Sequence, residues 1–195
     1  MSTLEAKGNW IGGAWRPSSS GEVREVRNPS NVDEVVGVVA WSTPADVAAA
    51  VESAEKAFRS WKNMPAPSRA RILSKAADIL AGRLEEVARL LSREQGKPIG
   101  EARGEVQRGV DLLHYYAGEG WRSLGHVIPS AAPGALMFTV QEPLGVVGVI
   151  TPWNFPVAIP LWKSCPALIF GNTVVLKPAA DAPLTALAMA SVFEE

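Results

Sequence analysis

Cysteine is almost missing from this chain: Cys165 stands alone. An intramolecular disulfide needs two thiols and a CxxC knuckle needs its pair, so a disulfide-stapled scaffold and a cysteine metal centre are both excluded. Histidine is scarce too. His114 and His126 share no metal-ligand spacing with acidic residues, so they read as surface or core histidines and no metal site is expected. Charge of one sign is also lacking, because 19 Lys and Arg face 20 Asp and Glu, scattered without a long run. That balance leaves no basic stripe for nucleic acid or an anionic membrane. The GxGxxG and GxxxxGK[ST] fingerprints are absent, as are internal repeats and low-complexity segments. The opening MSTLEAKGNW lacks the basic-then-apolar order of a secretory leader, and a cytoplasmic location is the expectation.

One long uncharged run, Pro143 to Trp162, has the length of a membrane span. Pro143, Pro152, Pro156 and Pro160, with Gly145 and Gly148, would interrupt such a helix repeatedly, and the run opens on the β-branched GVVGVI. A buried strand, a turn and a helix fit it better. With 47% hydrophobic residues in 195, the chain can form one sizeable core or parts of two domains.

Residues 8–41 alternate short apolar runs with turn residues and predict a few short strands. Thr43, Pro44 and Asp46 then form a capping-box start, followed by an apolar stripe of Val47, Val51, Ala54, Phe58 and Trp61. A second helical region is expected from Ser68 until Gly96 and Pro98 stop it, and a third from Ile99 to about Leu124. Glu85, Glu86, Glu101 and Glu105 are assigned to solvated helix faces. Ala135–Glu142 and Leu144–Ile150 read as strands, Val157–Phe170 as a helix with Pro166 as a kink, and Thr173–Lys177 as a short buried strand. Asp181 and Pro183 open a last helix.

The order from Leu144 onward is thus strand, loop, helix, strand, loop, helix. Consecutive buried strands joined by a helix imply a parallel pair, the start of a doubly wound α/β sheet. Ligands on such sheets bind beyond the carboxyl ends of the strands, which selects the loops TPWNFP (151–156) and KPAAD (177–181). In the first, Asn154 is a lone carboxamide among apolar and proline residues. It is either an Asx-turn cap for the helix that follows or a donor held for a substrate. Lys177 ends an apolar strand, either as a snorkelling lysine or as the partner of an anionic or hydroxyl group. Trp153 has the alternative role of an ordinary core aromatic. Cys165 lies in an apolar helix beside Pro166, with only Lys163 near it, and is read as a small core residue rather than a nucleophile.

QEPLGVVGVITPWNFP, VAIPLWKSCPALIFGN and TVVLKPAADAPLTA, with NWIGGAW, RNPS, REQGKP and EARGEV upstream, resemble the N-terminal half of the aldehyde dehydrogenase superfamily. The resemblance spans nearly the whole chain but less than half of a typical complete member. It implies an α/β fold in which residues 1–120 supply strands and helices of the cofactor domain and 121–142 the strands of an oligomerisation arm. Residues 143–195 would be the first part of an incomplete doubly wound parallel sheet, with the catalytic domain absent. The family chemistry so implied is attack of a cysteine thiolate on an aldehyde, hydride transfer to NAD or NADP, and hydrolysis of the resulting thioester. Asn154 matches the family's oxyanion donor. Ile150, Thr151, Pro152 and Trp153 match a stretch whose backbone lines the cofactor path, and Lys177 matches a lysine that bonds the adenosine ribose. NAD-preferring members carry a glutamate three residues after that lysine, where this sequence has Ala180. Relaxed selectivity or NADP use follows, tempered by Asp181 next door. The resemblance further implies a homodimer or homotetramer for the intact enzyme and an aldehyde substrate, with dicarboxylic semialdehydes as the class. The family nucleophile and general base fall downstream of Glu195. Residues 1–195 alone are therefore expected to be inactive, and the competing class is a noncatalytic fragment acting through association or cofactor binding.

Overall fold

A computed structural model describes residues 5–122 and 125–195. The predicted short strands form two antiparallel hairpins: β1 (Asn9–Ile11) with β2 (Ala14–Arg16), and β3 (Val23–Asn28) with β4 (Asn31–Ala40). Helix α1 (Pro44–Trp61) begins as the capping box requires, with the Asp46 carboxylate on the Thr43 backbone N–H at 2.7 Å and Pro44 in the first turn. Its stripe is only partly used. Trp61 is half-buried and donates from Nε1 to the Leu168 carbonyl at 3.0 Å, whereas Val47 and Val51 remain exposed.

The expected second helix is two helices, α2 (Ala66–Gly82) and α3 (Leu84–Gln95), broken at Arg83. Gly82 weakens the helix there, and the break redirects α3 so that Val87, Ala88 and Leu91 share one core with Leu73, Ala77 and Leu80. Helix α4 is Ile99–Glu119; the remainder of the expected third helix reaches Ser123 and Leu124, which lie outside the described residues, as do the first four residues of the expected leaderless start. Of the strand expected over 135–142 only Met137–Phe138 (β6) is paired, with β5 (Val127–Ile128). Pro133, Gly134 and Pro143 flank this segment, and its side chains lie almost entirely in solvent, so little burial favours a longer ladder.

The last third follows the expected order. β7 (Val146–Ile150) pairs in parallel with β8 (Thr173–Lys177), with Ile150 opposite Lys177, and α5 (Ala158–Ile169) connects them. α6 (Pro183–Glu194) follows β8. No helix among the described residues is long and apolar enough to cross a membrane.

Helices α2 to α6 share one cluster, in which Leu73, Leu80, Leu91, Leu113 and Ile169 are fully buried. α4 and α5 approach so closely at Gly109 that a Cβ there would stand 2.9 Å from Val157 and 3.0 Å from Leu161. The other end of α5 is tied as tightly. Buried Arg69 donates from Nε to the Ile169 carbonyl at 2.9 Å and from its guanidinium to the Met64 carbonyl, while Asn172 donates to the Ala167 carbonyl at 3.1 Å. The Asn172 side-chain oxygen also accepts from Leu144 N (2.6 Å) and Gly145 N (3.0 Å), fixing the entry to β7. Gly171, at φ 89°, makes the left-handed turn from α5 into β8.

Candidate active site

Because β7 and β8 run parallel and in register, their carboxyl ends release the two selected loops side by side. Thr151 N donates to the Lys177 carbonyl at 3.3 Å, the last bond between the strands. Beyond it the first loop turns outward. Ile150 is 79% and Trp153 59% exposed, and Pro152, Asn154 and Phe155 are exposed as well. Trp153 is therefore not a core aromatic. Thr151 and Pro156, at the two ends of the loop, are buried, and the Thr151 hydroxyl has no hydrogen-bond partner among the described residues.

The Asn154 carboxamide makes no hydrogen bond among the described residues, and the Asx-turn cap is ruled out. α5 begins at Ala158 after Val157, and no side chain of the loop caps it. The cap comes from α4: Glu105 Oε1 accepts from Val157 N at 2.9 Å and Ala158 N at 3.3 Å. Glu105 is only 3% exposed, which corrects its assignment to a solvated face. Its other oxygen pairs with the Lys97 ammonium, which also donates to the Asn154 carbonyl at 2.8 Å and lies 4.5 Å from the Phe155 ring centroid. Glu86 and Glu101 are exposed as expected, and Glu85 is held by Arg103 and Arg89, with its carboxyl pulled down to about 2 chiefly by the Arg103 hydrogen bond.

The second loop is arranged in the same way. Asp181 is exposed and does not cap α6, whose N-cap residue Ala182 makes no side-chain bond. Buried Glu94 of α3 accepts instead from Leu184 N (2.6 Å), Thr185 N (2.9 Å) and the Thr185 hydroxyl. Burial pushes the Glu94 carboxyl above its ordinary value, against the lowering by these donors. Carboxylates thus occupy the first-turn amides of both helices behind the loops, the groups that a doubly wound sheet otherwise offers to phosphates. Neither glutamate was identified from the sequence, yet each left a signal there. Glu94 continues the spacing of buried Val87 and Leu91, and Glu105 lies among Ala102, Val106, Gly109 and Leu113, so each is a carboxylate inside an apolar stripe.

Lys177 projects into solvent and, among the described residues, donates only to the neighbouring Pro178 carbonyl, at 2.8 Å. Ala180 is exposed in the turn after it. The Lys177 cation thus stands on the strand register opposite exposed Ile150, at the same end of the sheet as the first loop. No group of acidic, histidine or cysteine side chains among the described residues could hold a metal ion. His114 is exposed, 3.9 Å from Asp78, and His126 is exposed next to β5.

Cys165 is fully buried in α5, and burial pushes its thiol up to about 12. A thiol so placed is protonated at neutral pH and shielded from attack. The native protein at pH 8 is expected to release no chromophore from an aromatic disulfide reagent, and to release one equivalent once denatured. Rapid labelling of the native protein would restore Cys165 as a candidate nucleophile.

The sequence pattern of the Aldehyde dehydrogenase family matches residues 15–195. Alpha-ketoglutaric semialdehyde dehydrogenase of Bacillus subtilis is 51% identical over 187 residues, which are 96% of this chain and 38% of the relative. Malonate-semialdehyde dehydrogenase of Bacillus pumilus is 40% identical over the same shares of the two chains. Among solved structures, a betaine aldehyde dehydrogenase from Staphylococcus aureus in complex with NAD+ superposes with a TM-score of 0.92 at 32% identity, over 97% of this chain and 38% of that one. An NADP-dependent enzyme of E. coli gives 0.93 at 36% identity, over 99% and 40%. The chain therefore spans about two-fifths of the length of the relatives it matches. It belongs to the aldehyde dehydrogenase family and matches the N-terminal part of that fold.

Proposed function

We propose that this chain supplies the oxyanion donor and part of the cofactor surface of an NAD(P)-dependent enzyme that oxidises an aldehyde to a carboxylic acid. The observation that carries the reading is Asn154. Its carboxamide is exposed at the carboxyl end of β7 and has no partner among the described residues, while its backbone carbonyl is anchored by Lys97. An unspent amide on a fixed backbone is what a donor aimed at a developing oxyanion requires. Such a donor stays neutral at every working pH and stabilises the oxygen of the tetrahedral species formed when a thiolate adds to the carbonyl. The thiolate comes from another segment of the enzyme, because buried Cys165 cannot serve. Lys177 would bond the ribose, with Ile150, Thr151, Pro152, Trp153 and Ala180 beside the bound NAD or NADP, which when present accepts the hydride. The ketoglutarate and malonate semialdehyde activities named for the relatives support a dicarboxylic semialdehyde as substrate. The exposed β5–β6 hairpin, with Val127, Leu136 and Phe138 in solvent, suits an arm that joins subunits of a dimer or tetramer.

The test is coupled turnover. Residues 1–195 incubated with a semialdehyde and either cofactor are expected to form no reduced nicotinamide. The complete enzyme, this segment joined to the remainder of the family fold, is expected to form it. Turnover by 1–195 alone would overturn the placement of the nucleophile elsewhere, and none in the complete enzyme would overturn the dehydrogenase reading.

A further inference from the structure

We propose that Lys97 and Glu105 are positioning residues for Asn154, a clamp that fixes the direction of its carboxamide; this rests on the reading of Asn154 as the oxyanion donor. The exposed Asn154 side chain has no partner among the described residues, so the backbone that carries it sets its direction. That backbone is held at two points, at Asn154 itself and just after it. At Asn154 the carbonyl accepts from Lys97 Nζ at 2.8 Å, and three residues on, Val157 N and Ala158 N are held by Glu105 Oε1 at 2.9 and 3.3 Å. The two anchors are one unit, because Glu105 Oε2 pairs with the same ammonium.

The pair is also built to be rigid. The Glu105 side chain is 1% exposed and that of Lys97 13%. Glu105 rises from the helix that packs against α5 at Gly109, and Lys97 sits in the short link between α3 and α4, where Ser92 Oγ holds the Lys97 carbonyl at 2.7 Å. The Phe155 ring lies 4.5 Å from the ammonium, so both residues at the tip of the loop lean on one cation. A cap alone would need only the carboxylate on the α5 amides. The bond from the ammonium to the Asn154 carbonyl adds nothing to capping α5, and it is the contact that couples the pair to the donor.

A positioning role and a purely structural one part in a double-mutant cycle measured on the complete enzyme. Lys97→Met is expected to lower kcat by about 10- to 100-fold, the effect of displacing a reacting group by up to about 1 Å, with the aldehyde KM changed little. Lys97→Arg, which keeps a cation for Glu105 and a donor for the carbonyl, is expected to recover most of the loss. In an Asn154→Ala background Lys97→Met is expected to have almost no further effect on kcat, since the group it orients is gone. Glu105→Gln, which keeps an acceptor for the α5 amides, carries the same cycle if Lys97→Met fails to fold. Losses from Lys97 and Asn154 that multiply independently, or a wild-type kcat in Lys97→Met, overturn the clamp while leaving Asn154 in its role. A wild-type kcat in Asn154→Ala overturns that role itself.

Discussion

Asn154→Ala in the complete enzyme is expected to cut kcat by about 10²- to 10³-fold, about 3 kcal/mol of lost transition-state stabilisation. The donor acts on charge that exists only after the thiolate has added, so the loss belongs in kcat at saturating aldehyde rather than in substrate KM. Stability should hardly change. The side chain is exposed and unpartnered among the described residues, and substitutions at such positions stay within about 0.5 kcal/mol. Steady-state kinetics beside a thermal melt separates the two quantities. Asn154→Asp sharpens the result, because a carboxylate in that position repels the oxyanion, and its kcat is expected to fall at least as far as that of alanine. A melting temperature that falls sharply with either variant would reassign Asn154 to the fold.

The parallel pair and its two loops were legible in the sequence because β-branched runs, proline and glycine mark such strands strongly. The register of Ile150 opposite Lys177 then follows from the parallel ladder. Asn154 could be picked out but not assigned, since a local sequence offers an Asx cap and an oxyanion donor equally. What decided against the cap was a residue far away in sequence, Glu105, already occupying the amides of α5. The same applies at α6, where Asp181 looked like a local cap and Glu94 takes the position instead. Local capping rules treat each helix start as if only its neighbours could serve it. Here two carboxylates on α3 and α4 reach across the core, and only their place in apolar stripes betrays them. The break at Arg83 was hidden for a related reason: the apolar spacing continues through it, and what turns α3 is the shared core rather than a proline. The exposure of Val47 and Val51 shows the converse, a helical stripe in which Ala54, Phe58 and Trp61 are half-buried while its first two valines stay in solvent.

Ala180→Glu carries the second large effect, on cofactor choice. Ala180 is exposed in the turn between β8 and α6, three residues after Lys177, so a longer side chain there meets no packing obstacle from a buried site. A glutamate would accept hydrogen bonds from both hydroxyls of an adenosine ribose held by Lys177, and it would face the 2′-phosphate of NADP as a like charge. Like-charge juxtaposition of this kind costs several kcal/mol. The ratio of kcat/KM with NAD to that with NADP is therefore expected to rise by about 100-fold or more in the complete enzyme. Asp181 supplies the control. Its carboxylate makes no hydrogen bond or ion pair among the described residues and is released from capping by Glu94, so it is free to act on the same ribose. If it does, Asp181→Ala alone shifts the ratio toward NADP, and Ala180→Glu in that background shifts it back. A ratio unmoved by Ala180→Glu in either background would mean that the adenosine ribose does not lie over the turn after β8, and the role proposed for Lys177 would fall with it.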